Sequence, residues 1–130
     1  MIPKKVRAFA FLLTVIGIGA GVAGYIKPEL IVPGFMSNSA AHQTMAMMFA
    51  GRNLTMGVAM LFVAIAGVPE TFALIFGIRF FIELQDITAQ IATAPLSAVL
   101  PMVVGIGIIM IFEAWVVFAM LGMIRKRSSM

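Results

Sequence analysis

The chain contains no cysteine, a single histidine, and only 11% charged residues. Without a thiol, disulfides, thiolate metal sites and thiol redox relays are all excluded. One histidine excludes haem held by two histidines of the same chain. The Glu-x-x-His pairs that build di-iron bundle sites do not occur either. The scarcity of charge says most. With 62% hydrophobic residues in a length of 130, and a mean hydropathy of +1.12, a soluble domain has too little interior to hide the apolar surface. Composition therefore identifies an integral membrane protein of one domain, residues 1–130, with no separate soluble module.

The net charge of +4 is concentrated at the two ends, in Lys4, Lys5, Arg7, Arg125, Lys126 and Arg127. Terminal clusters that flank apolar spans set topology and touch anionic lipid. They are not the footprint of a nucleic-acid site, and no nucleic-acid partner is expected.

Four apolar segments are expected to span the bilayer, at about 8–26, 41–66, 71–92 and 98–124. Each is long enough for a hydrocarbon core of about 30 Å. The first also has the form of a signal peptide, with Gly21-Val22-Ala23 as a passable cleavage site, but it is expected to be retained as a helix. Lys27-Pro28 ends it. A polar stretch follows, with a turn at Pro33-Gly34 and candidate helix caps at Ser37, Asn38 and Ser39. Gly67-Val68-Pro69-Glu70 is a stop and restart: Gly suits a helix end, Pro a first turn, and Glu the positive end of the next helix. Four crossings place both termini on one side. Both are basic, so that side is cytoplasmic. The expected fold class is all-α, an up-down four-helix membrane bundle.

Several motifs fail on inspection. Gly19-Ala20-Gly21-Val22-Ala23-Gly24 matches G-x-G-x-x-G, but a dinucleotide site needs a preceding strand, and this match lies inside a spanning helix. Gly17, Gly21 and Gly24 instead form a small-residue face for close helix packing, within the bundle or in a homodimer. Five of the twelve methionines lie in the second segment, with His42, Met45 and Met48 at intervals of three. Thioethers bind cuprous ion, but methionine is also an ordinary filler of apolar surface. No metal site and no cofactor is expected.

What remains is five charged side chains inside the spanning segments: Arg52, Arg79, Glu83, Asp86 and Glu113. Each costs roughly 2.5–3.5 kcal/mol at the centre of a helix facing lipid. They are therefore expected to face one another or a shared wet cavity. Arg79, Glu83, Asp86 and Gln90 are spaced by four, three and four, which puts them on one narrow helical face continued by Phe72 and Phe76. Arg52, flanked by Asn53, and Glu113 occupy faces of the second and fourth segments at similar depth. Arg52, Asn53, Arg79, Glu83, Asp86, Gln90 and Glu113 thus make up an expected buried polar pocket between the second, third and fourth helices. Two positive and three negative charges leave one negative charge over. Desolvation and like-charge proximity then favour a proton on one carboxylate, and Glu113 is the choice because its own helix offers no basic neighbour. The plainer alternative is an ion-pair network that only fixes helix register.

The combination Gly51-Arg52-Asn53-Leu54 with Gly57, then Arg79 with Glu83 and Asp86, resembles small four-helix membrane proteins of the DoxX-like superfamily, closest to its branches without an assigned reaction. The Pro33-Gly34-Phe35 loop is similar too. The resemblance covers nearly the whole chain. It implies a four-helix bundle in the bacterial inner membrane and carries no reaction to these residues. Some relatives are linked to quinone or sulfur redox chemistry, and the lack of cysteine argues against thiol-based versions of it. The function expected first is binding of a small molecule or lipid headgroup in the polar pocket. Arg52 and Arg79 would anchor an anionic or carbonyl group, and Asn53 and Gln90 would orient it. Competing readings are an accessory subunit of a larger membrane complex, a membrane enzyme acting on a quinone or isoprenoid, and a proton-coupled transporter working as a homodimer.

Overall fold

A computed structural model of the chain describes residues 2–30, 36–93 and 95–129, apart from the side chains of Gln90, Thr93 and Ala98. The Pro33-Gly34-Phe35 turn lies outside the described residues. The rest is all-helical: α1 (Lys4–Ile26), a short 3-10 turn (Pro28–Leu30), α2 (Ala40–Ala66), α3 (Pro69–Thr93) and α4 (Leu96–Ser128).

Local chemistry sets the boundaries. α1 begins after Pro3, whose carbonyl accepts from the backbone N–H of Val6 and Arg7. It ends with Lys27 donating to Ala23 O, and Pro28, which has no N–H, cannot continue it. At the start of α2, Ser39 is the cap that forms: its Oγ accepts from His42 N–H at 3.4 Å, and its carbonyl accepts from Gln43 N–H. Between α2 and α3, Gly67 has φ 66°, the left-handed conformation in which a Cβ would be strained. α3 restarts at Pro69 with Glu70 in its first turn, and Thr71 Oγ1 donates back to Val68 O.

Among the described residues, three helical stretches are long and apolar enough to cross a membrane: Lys4–Ile26, Ala40–Ala66 and Val99–Ser128. α3 has the length, with 25 residues, but not the apolarity, because Glu70, Arg79, Glu83 and Asp86 all fall within it. Large apolar side chains stand exposed along the helices, among them Val15, Phe62, Ile111 and Phe118, each at 68% or more. Such faces suit hydrocarbon better than water.

Two compact units make up the chain, Met1–Ala66 and Gly67–Met130. In the first, α1 and α2 run antiparallel with their backbones nearly touching. A Cβ on Gly17 would lie 3.1 Å from Gly57 Cα, and one on Gly21 would lie 2.8 Å from Leu54 N. One on Gly24 would lie 2.9 Å from Ala50 Cβ. Spacings of four and three put these three glycines on one face, and Ala46, Ala50 and Gly57 give α2 a matching small face. Gly19, on another face, meets nothing within 4 Å. Small residues permit this approach, and dispersion and weak Cα–H···O contacts reward it where burial from water is not the driving force.

The second unit pairs α3 with α4 through the Pro95 break. Phe72 and Phe76, one turn apart on α3, are fully buried and stacked with centroids 5.9 Å apart. Val116 and Met120 of α4 are buried as well. The same face of α3, one turn further on, carries Arg79.

Candidate functional site

Arg79 is the hub of the second unit. Its Nε donates to Glu113 Oε1 of α4 at 2.5 Å, and its Nη2 donates to Glu83 Oε1 at 2.7 Å. The second bond is the i, i+4 pair that helical spacing offers. The first links two helices. Arg79 is 5% exposed and Glu113 is fully buried, while Glu83 is partly open. A guanidinium presents donors in a planar fork, so one side chain can hold two carboxylates in fixed directions.

One atom of the trio is unmet. Glu113 Oε2 is buried and finds no hydrogen-bond partner among the described residues. A buried acceptor left unmet costs about 1–3 kcal/mol, more when charged. A cluster that served only to hold helices together would do better with apolar residues of similar volume.

Of the other expected site residues, Asp86 lies one turn beyond Glu83 and is half-buried. Gln90 is in α3, but its side chain lies outside the described residues. Arg52 and Asn53 belong to the first unit. There the Arg52 guanidinium stands 5.4 Å from the centroid of the Phe49 ring, and Asn53 Nδ2 donates to Phe49 O at 2.9 Å. The amide is thus bonded back to its own helix, four residues earlier. His42 Nδ1 accepts from Met36 N–H and so helps hold the connection ahead of α2. Among the described residues no three His, Asp or Glu side chains come together in the manner of metal ligands.

Two features are absent from the expectations above. The first is Arg7. It donates from Nε and Nη2 to Ala64 O, at 3.1 and 2.9 Å, and from Nη2 to Ile65 O at 3.3 Å. It therefore satisfies carbonyls that the last turn of α2 leaves without helical partners, and its charge opposes the negative end of the helix dipole. The available signal was that α2 has no basic residue in its own last turn. The second is an apolar cavity of about 190 Å³ along α3 and α4, lined by Gly77, Phe80, Phe81, Ala114, Val117 and Phe118. Its lining can be found in the sequence only once the two helices are known to pair. At about 100° per residue, Gly77 of α3 lies about 160° around the helix from Arg79, whereas Val117 of α4 lies about 40° from Glu113.

Comparisons of the chain with protein-family models, with curated proteins and with solved structures give no match. The fold and the site thus define an all-helical chain with membrane-span-like helices and a buried arginine shared by two glutamates.

Proposed function

We propose that the chain is a multi-pass inner-membrane protein whose Arg79–Glu83–Glu113 cluster binds a small molecule or a lipid headgroup. The observation that carries this reading is Glu113: fully buried, fixed by Arg79 at one oxygen, and without a partner among the described residues at the other. Ionisable groups at membrane depth mark functional sites by default, because structure alone is served as well by apolar packing. The DoxX-like resemblance adds the bacterial inner membrane as the location. α3 completes a set of four crossings, with Arg79, Glu83 and Glu113 meeting one another's charge, and the basic ends on the cytoplasmic side.

Native mass spectrometry of the purified protein tests the binding reading. A copurifying ligand is expected, and Arg79→Ala should lose it. Retention of that ligand by the variant overturns the site. The topology has its own test, made clean by the absence of native cysteine. Single cysteines at Ile2, Val68 and Ser129 should react with an impermeant thiol reagent only from the cytoplasmic side. Those at Ser37 and Pro95 should react only from the outside.

A further inference from the structure

The cavity along α3 and α4 is a second site, and none of its lining residues belongs to the charge cluster. All of them are apolar, and three are phenylalanine. A pocket for a polar ligand is marked by a few placed polar groups, and no side chain supplies one here. The volume, about 190 Å³, narrows the occupant further. Drug-sized ligands fill about 300–1,000 Å³, whereas an apolar cavity of about 150 Å³ takes a benzene molecule. The space therefore suits part of a molecule, roughly six to eight carbons of hydrocarbon.

Two further observations say what that hydrocarbon is. The first is depth, and it rests on the membrane reading of α3. Gly77 lies about 12 Å along the helix from Pro69, at 1.5 Å per residue. In a hydrocarbon core of about 30 Å that is close to the midplane, which lipid chains reach and headgroups do not. The second is Gly77 itself. Gly17, Gly21 and Gly24 bring two backbones together, but a Cβ on Gly77 would meet nothing within 4 Å. Glycine is a poor helix former, and what it leaves at this position is open space in the cavity wall. The cavity opens at the outer surface of the helix pair, where Phe81 and Phe118 of its lining are 65% and 73% exposed. Close approach of a second helix needs small residues at the contact. Two exposed rings at the rim oppose it, whereas a thin chain needs no such approach.

We propose that this cavity seats an acyl chain of a bilayer phospholipid, so that α3 and α4 carry a resident lipid. The test uses delipidated full-length protein in detergent, with dioleoyl phosphatidylcholine as the probe and native mass spectrometry as the readout. The wild type should retain one phosphatidylcholine. Gly77→Leu fills the space without meeting backbone at its Cβ and should weaken that retention at least tenfold. Ala114→Leu fills it from α4 and should do the same, which keeps the test decisive if the first variant does not fold. The only tryptophan of the chain, Trp115, adjoins Ala114 and reports location. Phosphatidylcholine brominated at mid-chain should quench it saturably in the wild type and without saturation in the variants. If neither variant folds, saturation in the wild type decides.

A lipid that Gly77→Leu loses and Arg79→Ala keeps belongs to the cavity. One that Arg79→Ala loses and Gly77→Leu keeps overturns the cavity as its seat. Undiminished retention in both leucine variants, or no retained lipid, also overturns the proposal. A dimer without lipid that Gly77→Leu dissociates overturns it as well and assigns the face to a second copy. Cysteines at Val68 and Pro95 separate the two ways to fail. Reaction from the same side removes the membrane reading of α3 and this inference with it. Reaction from opposite sides with no lipid retained removes the cavity site alone.

Discussion

Arg79 and Glu113 are joined across α3 and α4 by a bond between Nε and Oε1 at 2.5 Å, with neither residue more than 5% exposed. A pair so placed is easily misjudged as a source of stability. Its attraction is largely offset by the loss of water around both charges, yet removing one partner strands the other. Replacement of Arg79 by Leu is expected to cost about 3–5 kcal/mol, read as thermal stability in detergent. Replacement of Arg79, Glu83 and Glu113 together by Leu, Met and Met should recover most of that loss. A triple variant no more stable than the single one would show that charge pairing is not what Arg79 contributes.

The proton expected on Glu113 gives a spectroscopic prediction. Infrared spectroscopy should show a protonated-carboxyl band that Glu113→Gln removes. A spectrum without that band means that Glu113 is ionised.

The glycine face separates two substitutions that composition treats alike. Gly21→Ala puts a methyl 2.8 Å from the backbone nitrogen of Leu54, and neither helix can move aside without opening the pair. A loss of about 1–3 kcal/mol is expected. Gly19→Ala meets nothing within 4 Å and should be neutral or stabilising, since alanine is the better helix former. Thermal unfolding of the two variants side by side checks the contrast.

Arg7 is expected to act as a cap of another helix. Arg7→Ala should cost about 1–2 kcal/mol, from lost charge-assisted bonds to Ala64 O and Ile65 O. Hydrogen exchange should rise in the last turns of α2 and much less in its middle. Arg7→Lys should rescue only part, because one ammonium cannot reproduce two directed donors on the same carbonyl. Uniform exchange along α2 would rule out capping.

How much of this was legible in the sequence depended on whether the signal was local. The breaks at Pro28 and Gly67 could be read because proline and glycine act on their own backbone, and the helices fall on either side of them. The pairing of Arg79 with Glu83 could be read from spacing. Asn53 could not be judged in this way. Periodicity gives the face an amide occupies, but Asn53 reaches its own helix at Phe49 O, an option that spacing leaves open. Arg7 was obscured by its position, since a cation near a chain end reads as a topology signal. Only the antiparallel return of α2 brings Ala64 beside it. The unmet oxygen of Glu113 has no sequence signature, because it depends on which atom of Arg79 arrives first.

The contact of Gly17 with Gly57 also bears on entropy. Ordering a long side chain at a helix interface costs up to about 2 kcal/mol in lost rotamers, whereas glycine has none to lose. α1 and α2 can therefore associate with little freezing of side-chain motion at their closest approach, and most of the ordering cost falls on the backbone, already fixed by each helix. Their partnership is governed by separation rather than by interlocking shape. A few tenths of an ångström decides it, and a single added methyl group on Gly21 is enough to cross that margin.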